Sequence, residues 1–313
     1  MAGRSKRLLF VGQMVVTVAA LAVLFWNIDR RRLFVVLGGA ELGWLAAALL
    51  LAIGSTVLAT VKIRMLVSIA GFSRSLRRCW LAVLRGVAMN VVLPARGGDI
   101  AKMFYLRDRE EPIGPLIAAG LVERAIDVTS LATLAFVASM YAHWPTGAWI
   151  ASFVISLAII GIAVFATSKA WNVIPNAFRG TIAAMRDILI DPRTALGAYP
   201  LALLTWTINA AILWVLMRSV GVAVSGAMAA AAAPVAILLG MVPISVGGMG
   251  TREAALVWLL AESGDTEAVF AAGFLYSVYA FWLIGLFGIA VSGWESVRGG
   301  VKSADGSRPG EAQ

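Results

Sequence analysis

The sequence is poor in the residues that build disulfides, metal sites and soluble surfaces. It has one cysteine, Cys79, one histidine, His143, and only 14% charged residues. A single cysteine excludes an intramolecular disulfide framework. One cysteine and one histidine are too few to build a zinc or iron site from protein ligands, and we therefore expect no metal and no cofactor. Hydrophobic residues make up 60% of the chain and the mean hydropathy is +0.87, which indicates a membrane-embedded protein.

Motifs for nucleotide hydrolysis and for acyl transfer are also lacking. The chain has no Walker A pattern and no Ser-His-Asp set, so we expect a transporter rather than an enzyme, and no ATPase. The net charge of +9 does not indicate nucleic acid binding, because the positive residues lie between hydrophobic segments, as the positive-inside rule describes. The expected partners are membrane lipids, either anionic phospholipids or glycolipids.

Six apolar runs approach or exceed the roughly 20 residues that span a hydrocarbon core. They are residues 8–28, 42–61, 116–141, 148–167, 196–217 and 269–294. We interpret the first run as a retained anchor, because no small-residue cleavage site follows it. The pattern also predicts an interfacial helix at 33–41, an amphipathic surface helix within 169–193, and a disordered cytoplasmic tail at 298–313 after a single transmembrane domain, 1–297.

Two further apolar segments are interrupted by proline and glycine. The first reads Asn-Val-Val-Leu-Pro-Ala-Arg-Gly-Gly-Asp over residues 90–99, and the second reads Met-Val-Pro-Ile-Ser-Val-Gly-Gly-Met-Gly-Thr-Arg-Glu over residues 241–253. Short helices are predicted to follow, at 100–106 and 251–260. Non-helical backbone at membrane depth requires protein or a water-filled cavity around it, so each break marks a cavity. The predicted fold class is all-α, with about six transmembrane helices and two re-entrant or broken helices.

The order of elements repeats between residues 8–142 and residues 148–295. Each half has a span, a second span, a broken element and a third span, and three crossings would invert the second half relative to the first. Residues 62–115, 168–195 and the C-terminus are basic, which predicts that both termini are cytoplasmic. Arg30-Arg31-Arg32 is the exception, since it would lie outside.

The two breaks carry the candidate substrate-binding residues. The start of a helix exposes unpaired N–H groups and a partial positive charge, glycine allows close approach, and arginine forms bidentate contacts with phosphate. The alternative is that the glycines serve only tight packing and that Asp99 and Thr251 are ordinary N-caps. The candidates are Arg96, Gly97, Gly98, Asp99, Gly247, Gly248, Gly250, Thr251, Arg252 and Glu253.

The third span adds a second candidate cluster. Glu123 and Asp127 are four residues apart and share a helix face, and Arg124 lies about 100° away. A charge at mid-membrane costs roughly 2.5–3.5 kcal/mol, so we expect these side chains to face the interior and to pair with arginines, namely Arg85, Arg96 or Arg252. The alternative is that they lie near the cytoplasmic surface and anchor the helix.

Arg85 and Asn90, before the first break, have the same two interpretations. They either line the site, and we include them among the substrate-binding candidates, or they reach toward the membrane surface.

The segments at 90–99, Glu123-Arg124 with Asp127, and 243–253 together resemble the three signatures of the lysylphosphatidylglycerol synthase transmembrane family. The resemblance runs from about residue 10 to 295, and the family includes the flippase half of the bacterial multiple peptide resistance factor. It implies a protein of the bacterial inner membrane, in a group proposed to move lipids between leaflets. It also maps six residues onto the family's polar motif positions: Arg96, Asp99, Glu123, Arg124, Arg252 and Glu253. That factor carries a soluble acyltransferase domain as well, and since few polar residues follow the sixth span, we expect no aminoacyl-lipid synthesis.

The resulting hypothesis is a flippase for an anionic or phosphate-containing lipid. Transport would be passive or coupled to an ion gradient or to lipid synthesis, with Glu123, Asp127 or Glu253 as candidate proton carriers. One alternative is a membrane-embedded transferase that acts on a lipid phosphate or glycolipid precursor, with Asp99 as its general base. Another is a scaffold for lipid-synthesis enzymes, and the features are also compatible with a homo-oligomer.

Overall fold

The computed structural model describes residues 29–92, 97–142, 176–241, 248–262 and 265–291, and this part of the chain forms ten helices and no strand. The predicted spans at 8–28 and 148–167 and the tail at 298–313 lie outside it. The all-α prediction is confirmed. The helices are α1 (Arg30–Gly38), α2 (Leu42–Ile69), α3 (Leu76–Val92), α4 (Gly98–Leu106), α5 (Ile113–Tyr141), α6 (Asn176–Ile190), α7 (Thr194–Ser219), α8 (Gly226–Met241), α9 (Thr251–Leu259) and α10 (Thr266–Val291).

Four long helices correspond to four of the predicted spans. α2, α7 and α10 are long and apolar enough to cross a membrane, and α5 has 29 residues but carries three charges near its middle. α2 does not end near Val61 as predicted, because Lys62 is buried within the helix and Ile63, Leu66 and Val67 extend its apolar face. Large side chains such as Leu50 and Leu286 remain exposed, as expected of surfaces that contact lipid.

One set of connections lies at an end of the bundle that we call the Arg74 end, formed by residues 70–75, 107–112 and 176–193. Arg74 donates from Nε to the carbonyl oxygen of Leu106 at 2.7 Å and also pairs with Glu111. The hydrogen bond from Arg74 holds the pKa of Glu111 below its usual range. α6 joins this end because Thr181 packs against Gly114 at the start of α5. The predicted amphipathic helix within 169–193 is therefore a packed surface helix.

The opposite end, which we call the Arg32 end, is formed by residues 29–41, 220–225 and 260–267 except 263–264, which are not described. Arg32 and Asp265 form a salt bridge of 2.7 Å, and the amide of Glu41 donates to the carbonyl oxygen of Ser219 at 3.0 Å. The basic run Arg30-Arg31-Arg32, which broke the charge pattern of the sequence, thus lies beside an acidic segment. The Arg32–Asp265 pair offsets part of this positive charge locally.

The centre of the bundle is an antiparallel pair, α2 and α7. Gly197, at the start of α7, packs on Met65 near the end of α2, and the end of α7 contacts the residue that precedes α2. The loop after α2 therefore lies at the Arg74 end and the loop after α7 at the Arg32 end.

Both broken elements are re-entrant hairpins. Arg78, in the first turn of α3, donates to the carbonyl oxygens of Tyr105 at 3.3 Å and Arg107 at 3.0 Å, at the end of α4. The chain therefore enters and returns at the Arg74 end. α8 and α9 enter from the other side, because α8 begins after the loop 220–225 and α9 ends shortly before Asp265. This decides between the two forms that the sequence left open, a hairpin and a broken crossing helix.

The loops that lead into the two hairpins have the same local structure. Gly71 and Gly221 both have positive φ, +93° and +80°, and each follows the end of a long helix. Ser75 and Ser225 both accept a hydrogen bond at Oγ from the amide three residues later. This residue-by-residue match agrees with the predicted repeat of the two halves, which stays a prediction.

Candidate functional site

The tip of the first hairpin places Asp99 in the first turn of α4. Gly98 packs directly on α3, because a Cβ at this position would collide with the carbonyl oxygen of Gly86. The missing side chain lets α4 lie against α3, and a carboxylate at a helix N-terminus is electrostatically favourable. Asn90 of α3 donates from Nδ2 to Asp99 Oδ1 at 3.1 Å, so the two helices hold the carboxylate between them.

Asp99 faces α5, where it forms an ion pair with Arg124. Its Oδ1 also lies 3.9 Å from Nζ of Lys102, one turn further along α4. The side chains of Asp99 and Arg124 are 22% and 28% exposed, so this pair is accessible from outside the bundle.

Deeper in the bundle, two lysines neutralise the other carboxylates of α5. Lys102 Nζ lies 2.6 Å from Glu123 Oε2, and Lys62 Nζ lies 3.7 Å from Glu123 Oε1. Lys62 also pairs with Asp127, whose Oδ1 accepts a hydrogen bond from Trp206 Nε1 at 3.0 Å. The side chains of Lys62, Lys102 and Glu123 are at most 7% exposed.

These contacts define one ion cluster with three positive and three negative groups. Its members come from α2, α4 and α5, and each carboxylate has at least one cation within 4 Å. Burial of so many charges is tolerated only with such pairing, because an uncompensated charge in a membrane bundle is expensive. The members are Lys62, Asp99, Lys102, Glu123, Arg124 and Asp127.

The second hairpin has a comparable tip. Gly248 has φ +76°, and a Cβ there would collide with the carbonyl oxygen of Gly240 on α8. Gly250, at φ +84°, precedes α9, and its amide donates to Glu253 Oε2 at 2.6 Å. The glycines therefore serve tight packing and a left-handed backbone at this tip.

Arg252 and Glu253 are sealed inside the second hairpin, at 1% and 2% exposure. Arg252 Nη2 lies 3.1 Å from Glu253 Oε1, and both side chains contact the hydroxyl of Ser277 on α10. The guanidinium lies 5.3 Å from the ring centre of Tyr276 and 5.0 Å from that of Phe281. A π-helical turn, Val278–Leu283, positions Phe281. Within the described part of the chain, Arg252 Nε and Nη1 have no hydrogen-bond partner.

The ion cluster and the Arg252–Glu253 pair do not contact each other directly among the described residues, but both reach α7. Trp206 bonds to Asp127, and one turn later Asn209 accepts from the hydroxyl of Tyr276 at 3.0 Å. Among the described residues the two sets are therefore connected through α7, and not by a direct pair between Arg252 and the carboxylates of α5. Arg124 Nη1 is 4.0 Å from the sulfur of Met241, at the end of α8.

The structure brings together Asn90, Asp99, Glu123, Arg124 and Asp127, with Gly97 and Gly98 forming the hairpin tip. The second tip groups five other candidates: Gly248, Gly250, Thr251, Arg252 and Glu253. There, Thr251 Oγ1 donates to the carbonyl oxygen of Gly248 at 3.0 Å. Arg96 and Gly247 lie outside the described residues.

The sequence suggested Arg85 and Arg252 as partners of Glu123 and Asp127, but the ion pairs among the described residues are formed by other cations. Arg85 lies over the ring of Tyr105, 4.9 Å from its centre, toward the Arg74 end. The partners are instead Lys62 and Lys102, which sequence reasoning missed. The available signals were that Lys62 continues the helical pattern of α2 and that Lys102 follows Asp99 at a spacing of three.

Comparison with known proteins gives two findings. The family model described as "Lysylphosphatidylglycerol synthase TM region" matches residues 10–288. A glycosyltransferase, AglD of Haloferax volcanii, is 29% identical over 132 residues, which cover 42% of this chain and 21% of that protein. The aligned part thus spans about a fifth of the relative's length.

Proposed function

Because the chain belongs to the lysylphosphatidylglycerol synthase transmembrane family, we propose that it moves a phosphate-bearing lipid between the leaflets of the inner membrane. The family and the glycosyltransferase similarity support a function related to membrane lipids in a multi-pass membrane protein. The observation that carries the finer proposal is the accessible Asp99–Arg124 pair at the tip of a re-entrant hairpin.

The charge balance of the cluster suits exchange of one anion for another. Without Asp99 and Arg124, the remaining two lysines and two carboxylates are balanced. A lipid phosphodiester that displaces Asp99 from Arg124 keeps this arginine paired and leaves the buried charges paired, while the displaced Asp99, at 22% exposure, is left to solvent and to Lys102, 3.9 Å away. Arginine is suited to this role because its planar fork binds phosphate in a bidentate manner. Acyl chains would stay in the bilayer beside the hairpin.

The second hairpin supplies the opposite half of the cycle in this proposal. Its arginine and carboxylate, Arg252 and Glu253, occupy the first turn of α9 but are closed off by Ser277, Tyr276 and Phe281. An arrangement with one accessible hairpin and one sealed hairpin fits one state of an alternating-access transporter. With no nucleotide motif, movement is passive or coupled to an ion gradient, with Glu123, Asp127 or Glu253 carrying protons.

The proposal is tested by leaflet exchange of a fluorescent phosphatidylglycerol in proteoliposomes, followed by dithionite quenching. We expect the wild type to accelerate exchange and Arg124→Gln to slow it by at least about tenfold, since a hydrogen bond to a charged group contributes roughly 1.5–3 kcal/mol. Arg193→Gln is the matched control, because Arg193 pairs only with Asp191 at the exposed Arg74 end among the described contacts. Exchange by the wild type no faster than by Arg124→Gln would contradict the proposal.

A transferase that acts on a lipid phosphate is the second candidate, favoured by the similarity to a glycosyltransferase. In that case Asp99, the accessible carboxylate, would act as general base toward a soluble co-substrate. Mass spectrometry of lipids from a deletion strain separates the two. Loss of one lipid species indicates the transferase, whereas unchanged composition with altered labelling of the outer leaflet indicates the flippase.

A further inference from the structure

Arg252 is covered from α10 by Tyr276, and the hydroxyl of this tyrosine is bonded to α7. Tyr276 is 1% exposed, its ring centre lies 5.3 Å from the guanidinium of Arg252, and its hydroxyl donates to Oδ1 of Asn209 at 3.0 Å. We propose that the Tyr276–Asn209 hydrogen bond is a latch, a contact that holds α10 against α9 and keeps Arg252 closed off. The two residues position the α10 side of the site, and their part in a transport cycle rests on the proposed function.

Asn209 presents its acceptor to Tyr276 in a fixed orientation. Its Nδ2 donates to the carbonyl oxygen of Thr205 at 2.8 Å, one turn earlier on α7, and to Oγ of Ser55 on α2 at 3.4 Å. These two contacts direct Oδ1 toward α10. Asparagine is a weak helix former and is costly in a membrane segment, and a hydrogen bond to a neighbouring helix offsets part of that cost. α7 is therefore the fixed side of the latch.

The residue after Tyr276 completes the closure. Ser277 Oγ contacts both Arg252 and Glu253, so α10 touches the buried pair directly. The closed arrangement also carries a cost, because Nε and Nη1 of Arg252 have no hydrogen-bond partner within the described part of the chain. Buried donors without an acceptor are unfavourable, and opening to water would satisfy them. Closure therefore depends on the few contacts from α10, and loss of one of them should favour opening.

A hinge for opening lies directly after the latch. Among the described residues, those of the π-helical turn Val278–Leu283 are not buried, whereas Gly285 beyond it is buried and packs on α3. Conversion of this turn to an α-helical one would shift the register by one residue and rotate Phe281 by about 100° relative to the end of α10. The ring of Phe281, now 5.0 Å from the guanidinium of Arg252, would turn away from it. The movement leaves the contact of α10 with α3 in place.

The test measures how readily a water-soluble reagent reaches a cysteine inside the closed hairpin. Ala255 lies three residues after Arg252 on α9 and is 7% exposed, so Ala255→Cys in a Cys79→Ala background reports opening. In detergent, we expect Tyr276→Phe and Asn209→Leu each to raise the rate of its reaction with a methanethiosulfonate reagent by about fivefold, because each removes the latch bond. The double variant should react no faster than the faster single variant, since both changes remove the same bond.

Two controls separate opening of the hairpin from general loosening. Tyr199→Phe is the matched change, because the hydroxyl of Tyr199 shares a hydrogen bond of 2.8 Å with Thr133 of α5 at the other end of α7. It should leave the reaction rate of the reporter unchanged. Cys79, which is buried in α3, reports loosening elsewhere in the otherwise native chain. Its labelling should be the same in the wild type and in Tyr276→Phe.

The latch is excluded if Tyr276→Phe leaves the reporter unchanged, if Tyr199→Phe accelerates it equally, or if the two single effects add. An equal acceleration at Cys79 would show general loosening and would also overturn the inference. If Asn209→Leu fails to fold, Tyr276→Phe decides alone, because it removes only one oxygen atom. The labelling does not measure lipid movement. Absent leaflet exchange would therefore contradict the proposed function and not the latch, whereas unchanged labelling would contradict only the latch.

Discussion

Lys62 is the residue on which the buried half of the ion cluster depends. Its ammonium group is 2% exposed and lies against two carboxylates of α5, Glu123 and Asp127. Without it, Lys102 alone would face both carboxylates, and the cluster would carry an uncompensated negative charge. Removing one partner of a buried pair costs about 3–5 kcal/mol, whereas replacing both partners costs much less.

We therefore expect Lys62→Met to lower the free energy of unfolding by about 3–5 kcal/mol. Unfolding can be followed in detergent with a thiol-reactive dye, because Cys79 is the one cysteine of the chain and is buried. Lys62→Met/Asp127→Asn is the matched control, since asparagine removes the excess charge and its Oδ1 still accepts from Trp206. It should melt above Lys62→Met. Equal melting of wild type and Lys62→Met would show that the lysine is not needed to balance the carboxylates.

At the scale of elements, each hairpin depends on a glycine at its tip. A methyl group at Gly98 meets backbone of α3, and one at Gly248 meets backbone of α8, where φ of +76° adds strain. We expect Gly98→Ala and Gly248→Ala each to destabilise the protein by about 1–3 kcal/mol, in the same dye assay. Gly54→Ala in α2, where a Cβ has open space, should instead be neutral or stabilising. The prediction is contradicted if all three variants melt alike.

The positions of the two breaks were predictable because their signals are local, whereas the hairpin form was left open by the sequence. Proline and glycine mark where α3 and α8 end, and the helices that follow begin within about two residues of their predicted starts. The end of α2 was mispredicted because a lysine after an apolar run indicates a membrane boundary by itself. Only the pairing of Lys62 with α5, some 65 positions away in sequence, makes that lysine an interior residue.

The cations that pair with the carboxylates of α5 could not be predicted for the same reason. Which cation meets Glu123 depends on how α2, α4 and α5 pack, and no short-range pattern encodes it. The π-helical turn that brings Phe281 to Arg252 likewise has no recognisable sequence signal.

At the scale of the whole molecule, each hairpin packs on the last span of the other half. Gly285 and Gly288 of α10 allow close contact with Ala88 and Leu84 of α3, and the alanine-rich α8 packs on α5. Small residues permit such close helix crossings in membranes. Each of these spans also touches the other hairpin, since α10 contacts α9 and α5 contacts α4, so in the proposed transport cycle the two hairpins would be coupled through shared spans. Such coupling is what alternation between two sides of a membrane requires.

The loops that lead into the two hairpins are expected on opposite sides of the membrane, and labelling can measure this. Ser73 and Ala223 occupy equivalent exposed positions in the loops before α3 and α8, but these loops lie at opposite ends of the α2–α7 pair. We expect Ser73→Cys, in a Cys79→Ala background, to react with a membrane-impermeant maleimide only in inverted vesicles. Ala223→Cys should react only in right-side-out vesicles, because the basic Arg74 end is predicted to be cytoplasmic. Labelling of both positions from the same side would exclude the inverted arrangement of the halves, and reversed labelling would place the Arg74 end outside.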